Sequence, residues 1–553
     1  MILLLFAGGV SLLHGQLATV KGKVLDGLTG EPLPGASVTY GPGKGMVTRF
    51  DGTYELELTA DNYTLAYSYV GFETKTFEVS LRPGQTLDQV VRLNSITLKE
   101  VAIVADMARD RKTPVAFSTI SPRQISEELG SQDLPMILNH TPGVYATQQG
   151  GGDGDARINI RGFDQTNIAV MIDGIPVNDM QNRRVFWSNW FGLDLVTGNV
   201  QVQRGLSASK LALPSIGGTL NILTKGIDDR QSTKFRQEFG SGNYTRTTFM
   251  HNSGKLDNGW GFTISGSYKN GDGLVDGTFT EGFFYFAKIE KITKKHRISF
   301  TGFGAPQNHG QRSFKGEVAE YSHSFARELG IDDDVISRIP DRGRYYNQHV
   351  GQWEDYSLIG VANNPPPPPF PAPADEYLIT RRGQLNTINE RTNFYHKPQF
   401  TLRDFWQIHN GLSISTSAYV SIGRGGGTQL RSRSGLGQTD AGLIDLQEYY
   451  DSNITNSLNA EYNYVNVNPE FSETEIQASE YVRVARNDHF WTGFLSQANW
   501  EMTDVLTLTA GVDFRYYKGS QYSKIHQFIG GDYYIDNSDL NAPRNEMKRE
   551  GDR

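Results

Sequence analysis

The chain has 553 residues, including 60 Gly, 29 Phe and 26 Tyr but no Cys, and its formal net charge is −8. Without Cys it forms neither disulfides nor thiolate metal sites, and its acidic balance argues against a nucleic-acid partner. A mean hydropathy of −0.45 excludes a bundle of membrane-spanning helices but is compatible with strands that alternate lipid-facing and polar residues. Length and glycine and aromatic content therefore favour several domains that are mainly β-structure.

The first residues have the form of a secretory signal peptide. The apolar run at residues 1–13 is too short to cross a bilayer as a helix. It is followed by a short polar stretch, although the usual basic start is missing. We expect a signal peptide over residues 1–16, cleaved near Gly15 or Gln16. Lipoprotein anchoring is excluded because no Cys follows.

Residues 17–94 show short strands separated by turns. A strand at Gly22–Asp26 leads into a Gly- and Pro-rich turn, and the dipeptide Asp51-Gly52 precedes the alternating strand Tyr54–Leu58. Strands at this spacing predict a small β-sandwich. The block resembles the carboxypeptidase-regulatory-like domains that precede a plug domain in one group of bacterial receptors. These modules carry no peptidase chemistry, and the sequence shows no zinc-ligand spacing such as HExxH.

Five short motifs in a fixed order mark residues 113–225. They are TPGVY at Thr141–Tyr145, INIRGF at Ile158–Phe163, VMIDGIPVND at Val170–Asp179, VQRG at Val202–Gly205 and SIGGTLNILTK at Ser215–Lys225. Taken singly, each predicts half-buried strands and tight turns of a small α/β domain. Together they resemble the plug domain of the TonB-dependent outer-membrane receptors. The resemblance implies a plug inside a 22-stranded barrel, moved by an energy-transducing complex of the inner membrane.

Two short helices and two loop tips are expected within this domain. Ser121 and Pro122 are suited to begin a helix that ends before Gly130, and a second helix is expected from about Asp133 to His140. One tip is glycine-rich, and the other combines Trp with Arg. In the family the matching tips face outward and contact the ligand. The candidate ligand-binding residues are therefore Gln148, Gln149, Asp153, Arg183, Arg184, Trp187 and Trp190. The alternative for the tryptophans is packing against the barrel wall.

The resemblance also assigns a latch and a coupling segment. Arg161 and Arg204 lie at positions that the family uses to latch the plug to the barrel. The linker at residues 95–112 contains a short strand-forming run that matches the TonB box in position. Strand addition would hold a periplasmic partner there with little demand on sequence. The TonB-box residues are Glu100, Val101, Ala102, Ile103 and Val104. The alternative is a last sandwich strand or a plain linker.

Residues 226–553 show longer alternating strands. In the run Trp260–Tyr268, apolar residues alternate with Thr and Ser, as a barrel in lipid requires. We expect nine strands, beginning near positions 232, 244, 259, 282, 295, 394, 411, 488 and 504. Their connections alternate between short turns and long loops, the latter at roughly residues 307–392 and 423–488, with a short exception near Gly240, and this is typical of outer-membrane barrels. Nine strands do not close a 22-stranded barrel, and residues 547–553 do not form an aromatic final strand. We therefore expect the N-terminal part of the barrel, with an incomplete wall.

The sequence thus predicts a mainly β protein: an N-terminal sandwich, an α/β plug and a partial antiparallel transmembrane barrel. The expected function is a Gram-negative outer-membrane TonB-dependent receptor that imports a scarce bulky solute, such as a siderophore or a cobalamin-like molecule. NIAVMIDGIP at Asn167–Pro176 favours that branch, while a glycan- or peptide-importing receptor is the alternative. A peptidase-related enzyme, a signalling receptor and a passive adhesin are less favoured.

The same interpretation predicts the partners. We expect a TonB-type energy transducer, an extracellular nutrient and outer-membrane lipid, with a surface lipoprotein as a further candidate and the sandwich in the periplasm. No catalytic residue, cofactor, metal or nucleic acid is expected.

Overall fold

The computed structural model divides the chain into two compact units, residues 1–107 and 108–553. It describes residues 17–27, 30–41, 43–69, 72, 74–93, 116–148, 156–205, 215–227, 231–293, 295–312, 316–356, 382–409, 411–431, 437–454, 468, 470–472, 474–503, 505–538 and 543–553. The predicted signal peptide and the predicted linker with its TonB box lie outside the described residues.

The first unit is a two-sheet β-sandwich. In its described part the strands are β1 Leu17–Asp26, β2 Ser37–Gly41, β3 Lys44–Val47, β4 Thr53–Thr59, β5 Asn62–Ser68, β6 Lys75–Ser80 and β7 Thr86–Leu93. One sheet has the order β4-β1-β7, with β1 antiparallel to β4 and parallel to β7. The other has the order β3-β2-β5-β6. The sandwich that the sequence predicts is confirmed.

A buried tyrosine pair joins the two sheets of the sandwich. Tyr54 on β4 and Tyr67 on β5 share a hydrogen bond of 2.9 Å between their hydroxyls, and the Tyr54 hydroxyl also donates to the Gln89 carbonyl at 3.0 Å. Burial raises the pKa of the Tyr54 hydroxyl. Both phenols are therefore neutral donors and acceptors inside the core, where an unpaired hydroxyl would be costly.

The second unit begins with a small α/β domain. Its described strands are β8 Ala116–Ile120, β9 Val144–Thr147, β10 Arg157–Ile160, β11 Phe163–Asp164, β12 Ile168–Ile172, β13 Ile175–Pro176, β14 Thr197–Arg204 and β15 Gly218–Thr224. Its α-helices are α1 Pro122–Glu128 and α2 Leu193–Val196, and its 3₁₀ helices are Leu134–His140, Gln165–Asn167 and Trp187–Trp190. A five-stranded sheet of order β13-β12-β15-β14-β8 stands beside a three-stranded sheet of order β11-β10-β9.

The first helix of this domain begins as the sequence predicts. Pro122 occupies its first turn, and the Ser121 hydroxyl accepts from the Gln124 N–H at 3.2 Å. The second expected helix is a 3₁₀ helix, Leu134–His140. The Asp133 side chain makes no capping hydrogen bond there.

The rest of the unit is dominated by one large antiparallel sheet. The strands described after residue 231 are β16 Ser232–Gly240, β17 Tyr244–Asn252, β18 Trp260–Gly271, β19 Thr280–Ile292, β20 His296–Gly304, β21 Gln307–Gly310, β22 Val350–Tyr356, β23 Arg382–Asn389, β24 Thr392–His396, β25 Gln399–His409, β26 Leu412–Arg431, β27 Tyr481–Thr503, β28 Leu506–Phe528, β29 Tyr534–Asp536 and β30 Glu546–Lys548. Two hairpins, β22–β23 and β29–β30, stand apart from the large sheet, and β16 and β28 are its edges among the described residues.

Two strands of the large sheet are each interrupted by a proline. Pro306 lies between β20 and β21, and Pro398 lies between β24 and β25. Proline has no N–H for the ladder, and the two breaks face each other because β20 pairs with β25 and β21 with β24. If each interrupted strand is taken as one, the described sheet has the nine strands that the sequence predicts. In β18, Trp260, Phe262 and Ile264 face outward while the polar residues between them are buried, as expected.

Two predicted strand limits were wrong. The strand that was expected to end near Gly423 continues to Arg431, and its partner begins at Tyr481 and not near 488. The continuation of the first of these strands contains a run of glycines at residues 425–427. A Cβ on Gly425 would lie 2.3 Å from the Phe394 carbonyl oxygen, so glycine here permits close strand packing.

The long connections at one end of this sheet are folded. Their described helices are α3 Val318–Tyr321, α4 His323–Glu328, α5 Asp333–Ile336 and α6 Leu446–Ile454. Trp353, Leu446 and Ile529, from three different segments, share one hydrophobic cluster. The connections at the opposite end, such as 253–259 and 293–295, are short. None of the helices in the described ranges is long and apolar enough to cross a membrane.

Candidate functional site

The α/β domain is fixed to the large sheet by a buried ion pair. Arg246 on β17 binds Asp194 of α2 through both guanidinium nitrogens, at 2.9 and 3.2 Å. Glu238 on β16 lies 3.6 Å from the Arg246 Nε, and Ser267 accepts from the same nitrogen at 3.0 Å. The cation therefore has several partners that offset its desolvation.

Close packing supports this ion pair. The backbone of Gly192 has a positive φ of 85°, and a Cβ there would lie 2.3 Å from the ring of Phe284 on β19. A Cβ on Gly282 would lie 2.7 Å from the ring of Phe191, and Lys269 places its Nζ 4.3 Å from the centre of that ring. The glycines therefore let the domain approach the sheet more closely than any side chain would allow.

The loop after β13 is held in shape by its own side chains. Asn178 Nδ2 donates to the Ile168 and Arg183 carbonyls, each at 2.9 Å. One carboxylate oxygen of Asp179 accepts from the N–H groups of Gln181 and Asn182, at 2.9 and 3.0 Å. The Asn182 Oδ1 also accepts from the Arg184 N–H at 2.9 Å, so the sharp turn is satisfied by the loop's own side chains.

This loop and the large sheet enclose a cavity of about 150 Å³. The loop and the 3₁₀ helix after it supply one wall, formed by Val177, Asp179, Gln181, Asn182, Arg184, Phe186, Asn189 and Trp190. Strands β24, β26, β27 and β28, with the residue that follows β24, supply the other, formed by Asn393, Tyr395, Lys397, Gly426, Asn487, Asp488, His489, Tyr517 and Gln521. The sheet residues lie towards the strand ends that join the long connections. Among the described residues that line the cavity, one hydrogen bond of 2.6 Å, from Gln521 Nε2 to Gln181 Oε1, crosses between the two walls at the rim.

The sheet wall of the cavity combines aromatic rings with the Asp488 carboxylate, which is held by hydrogen bonds. The Tyr395 hydroxyl donates to the Asn487 carbonyl at 2.7 Å and lies 3.0 Å from the Nδ1 of His489. The ring of His489 is 5.8 Å from that of Tyr517. The Asp488 carboxylate accepts from the Gly425 N–H at 3.1 Å and from the Tyr522 hydroxyl at 2.8 Å. Rings and amides of this kind hold a ligand by stacking and hydrogen bonding.

Two stretches of the chain match known domain families. Residues 20–103 match a CarboxypepD_reg-like domain, and residues 109–219 match the TonB-dependent Receptor Plug Domain. The chain therefore carries the plug domain of the TonB-dependent receptors. The α/β domain is thus the plug of this receptor, and the large sheet is its barrel wall. The predicted family and outer-membrane location are confirmed, and TonB-dependent receptors are not enzymes.

Several curated proteins are similar to this receptor over part of its length. "TonB-dependent receptor P39" of Formosa agariphila is 31% identical over 188 residues, which cover 33% of this chain and 18% of that protein. The "Ferric enterobactin receptor" of Pseudomonas aeruginosa is 30% identical over 24% of this chain and 19% of its own length. The "Vitamin B12 transporter BtuB" of Vibrio cholerae serotype O1 is 32% identical over 30% of this chain and 24% of its own length. The matched parts are less than two thirds of each relative.

Two receptors are among the solved structures to which this chain has partial similarity. The Ferric-Catecholate import receptor Fiu of E. coli K12, in its closed form, has a TM-score of 0.46 and 13% identity, covering 80% of this chain and 52% of that chain. BauA, the Ferric preacinetobactin receptor of Acinetobacter baumannii, also has a TM-score of 0.46, with 14% identity over 80% of this chain and 53% of that chain.

The receptor structure separates the predicted ligand-binding residues. Arg184 and Trp190 line the cavity. Trp187 does not line the cavity and is buried in a hydrophobic cluster that also contains Phe284 and Phe303 of the large sheet, a position compatible with the alternative of packing against the barrel wall. Arg183, with a positive φ of 61°, is exposed, and Gln148 is exposed at the end of β9. Gln149 and Asp153 lie outside the described residues.

The two predicted latch arginines make their described contacts inside the plug. Arg204 Nη1 donates to the Pro142 carbonyl at 3.1 Å, and the Arg161 N–H donates to the Gly143 carbonyl at 2.8 Å. A Cβ on Gly205 would lie 2.6 Å from the Arg161 Nη1, so the two motifs INIRGF and VQRG meet here. Their latch role stays a prediction.

Sequence reasoning missed the barrel half of the cavity. Tyr395, Lys397, His489 and Tyr517 come from three separated segments and are joined only by strand register. The signal that could have found them is the polar and aromatic composition of strand ends next to long connections, where alternation for lipid contact is no longer required.

Proposed function

We propose that this receptor imports a solute across the outer membrane with energy from a TonB-type transducer in the inner membrane. The observation that carries the proposal is the cavity shared by the plug loop and the barrel wall, at the end of the sheet with long connections. In outer-membrane barrels the long loops face outside the cell. A solute that enters there would contact the element that must move and the wall that stays fixed.

The solute classes follow from the relatives and from the size of the cavity. The names of two relatives specify ferric enterobactin and vitamin B12, and we propose a metal chelate or a cobalamin-like molecule for this receptor, with a glycan or a peptide as the alternative. A cavity of about 150 Å³ holds one benzene-sized ring. It would therefore bind one part of a bulky solute while the long connections contact the rest.

The contacts between plug and barrel suggest an order of events. At the cavity rim, Gln181 and Gln521 join the two walls by one neutral hydrogen bond, which contributes only about 0.5–1.5 kcal/mol. A ligand that contacts both walls would replace this bond and would therefore be bound to the plug before the plug moves. We further propose that residues 95–112 form the linker, that residues 100–104 bind the transducer by strand addition, and that the sandwich lies in the periplasm.

A reversible cross-link between the two walls tests the proposal. Because residues 1–553 contain no Cys, Gln181→Cys and Gln521→Cys introduce the one pair of thiols within this part of the receptor, which a short reducible bis-maleimide can join. Ferric enterobactin, cyanocobalamin, an oligosaccharide and a tripeptide are offered to whole cells that carry the complete receptor. We expect uptake of one of them to stop on cross-linking and to return on reduction. Each single-cysteine variant serves as the matched control.

A second arm of the same uptake assay tests the coupling segment. Val101→Pro removes a donor from a strand-addition ladder, so surface binding should persist while uptake stops. Normal uptake by the cross-linked receptor would contradict the plug movement, and normal uptake by the proline variant would contradict the TonB box.

A further inference from the structure

Lys397 occupies an unusual place in the barrel wall. It lies between β24 and β25, directly before Pro398, where the ladder is interrupted. Only 5% of its surface is exposed, although it lines the cavity. Lysine is rarely buried to this degree unless its ammonium group is paired.

The ammonium group of Lys397 contacts rings and no anion. Its Nζ lies 5.3 Å from the ring centre of Trp190 on the plug and 5.4 Å from that of Trp491 on β27. It forms no hydrogen bond or ion pair with any residue in the described ranges. Aromatic faces attract a cation but accept none of its three N–H donors in the usual way, so the group retains its hydrogen-bonding capacity.

The acidic groups of the cavity have other partners. Asp179 holds the plug loop through two backbone N–H groups, at 2.9 and 3.0 Å. Asp488 accepts from the Gly425 N–H, from Arg486 at 3.1 Å and from Tyr522. Asp488 would have to leave these bonds to reach Lys397, whereas Asp179 uses one carboxylate oxygen in the loop and acts on Lys397 through its charge, without a hydrogen bond or an ion pair.

Two more cavity groups are buried without a partner among the described residues. They are the Nε2 of His489 and the Oδ1 of Asn189. The cavity therefore presents one unpaired cation, one imidazole nitrogen and one amide acceptor towards the same small space. This combination suits an anionic oxygen next to a group that can donate a hydrogen bond.

We propose that Lys397 binds an anionic oxygen of the imported solute, from a carboxylate or a phosphate carried on a ring-sized part of the molecule. This inference rests on the proposed import function and names the chemical class of its substrate. An anion at this position pairs a cation that the fold has already desolvated, so the receptor itself bears the desolvation cost of the cation.

The test titrates the purified complete receptor with matched probes and follows tryptophan fluorescence, because Trp190 and Trp491 flank the Lys397 ammonium group. Glucuronate and glucose share one ring and differ in the carboxylate, inorganic phosphate supplies the other anion, and chloride sets equal ionic strength. We expect saturable binding of glucuronate, of phosphate or of both, and none of glucose. If only one of the two anions binds, the anionic group of the solute is a carboxylate or a phosphate accordingly.

Three variants assign the binding to Lys397. Lys397→Met should weaken the binding of that anion about tenfold or more, because it removes a charge-assisted hydrogen bond. Lys397→Arg should stay within about threefold, because it keeps the charge. Lys518→Met, at an exposed position on β28, is the matched control and should bind as the original chain does.

A thermal melt of the same samples separates binding from folding. Replacing an unpaired buried cation with Met should leave the midpoint unchanged or raise it. If Lys397→Met does not fold, Lys397→Gln replaces it in the titration. The inference is overturned if neither anion binds better than glucose, or if the neutral variants bind as tightly as the original chain. The titration needs no transducer, so the absence of anion binding would contradict the anion site but not the import function. Conversely, a cross-link that does not stop uptake in cells would contradict the import proposal but not the anion site.

Discussion

Arg246 and Lys397 are two cations of the barrel wall that face the plug, and each has 5% of its surface exposed. Arg246 meets two carboxylates and a serine, whereas Lys397 meets two indole faces. Equal burial with unequal pairing indicates different roles. The paired cation fixes the plug to the wall, and the unpaired one is available to a molecule that is not part of the chain.

The largest expected loss of stability comes from removing Arg246, the paired cation. Arg246→Ala would leave Asp194 without its cation and Glu238 with only Arg236 at 4.0 Å, and loss of one partner of a buried ion pair costs about 3–5 kcal/mol. We expect a lower free energy of unfolding of the plug, measured by urea denaturation in detergent. Arg236→Ala is the control, because Arg236 also touches the plug, through Ser126 at 2.7 Å, but is 39% exposed. A similar loss in both variants would contradict the distinction between the buried and the exposed contact.

A smaller effect should separate the two tryptophans of the plug. Both alanine variants lose a buried ring and should melt earlier. Only Trp190 lines the cavity, so Trp190→Ala should also weaken binding of the transported solute by roughly 1–3 kcal/mol. Trp187→Ala should leave the dissociation constant unchanged. Equal affinities for both variants in calorimetric titrations would remove Trp190 from the binding site.

The smallest effect is expected at the rim of the cavity. Gln181→Ala removes the single bond to Gln521 and should lower the stability of the plug by about 0.5–1.5 kcal/mol. Thermal melts of this variant and of Arg246→Ala would compare how much the contacts on each side of the plug contribute to its stability. A loss at Gln181 as large as that at Arg246 would show that the cavity side is also a structural anchor.

The architecture was predictable because physical demands repeat along the chain. Lipid on one side and plug on the other force the alternation seen at Trp260–Tyr268, and this alternation together with connection lengths predicted nine strands. The prediction was wrong where those demands end. Beyond Gly423 the strand continues through glycines whose role is close backbone approach, and no periodic pattern marks them.

The binding site was predictable only on the plug side. Arg184 and Trp190 belong to a motif-flanked loop, so their position could be expected from the resemblance. Lys397 and His489 are 92 residues apart, and strand pairing with its two proline breaks brings them together. In sequence, Lys397 is one lysine before a proline, and nothing local distinguishes it from a solvated residue.

The self-contained loop at Asn178–Arg184 has a consequence for the evolution of this receptor. Its shape depends on Asn178, Asp179 and Asn182, whose Oδ1 accepts from the Arg184 N–H at 2.9 Å, while the side chains of Gln181 and Arg184 line the cavity and make no bond within the turn. These two positions can therefore change without cost to the turn itself, so new nutrients can be selected by exchanging a few side chains. A library randomised at these two codons, with the three anchoring residues kept, is a direct route to receptors with altered cargo.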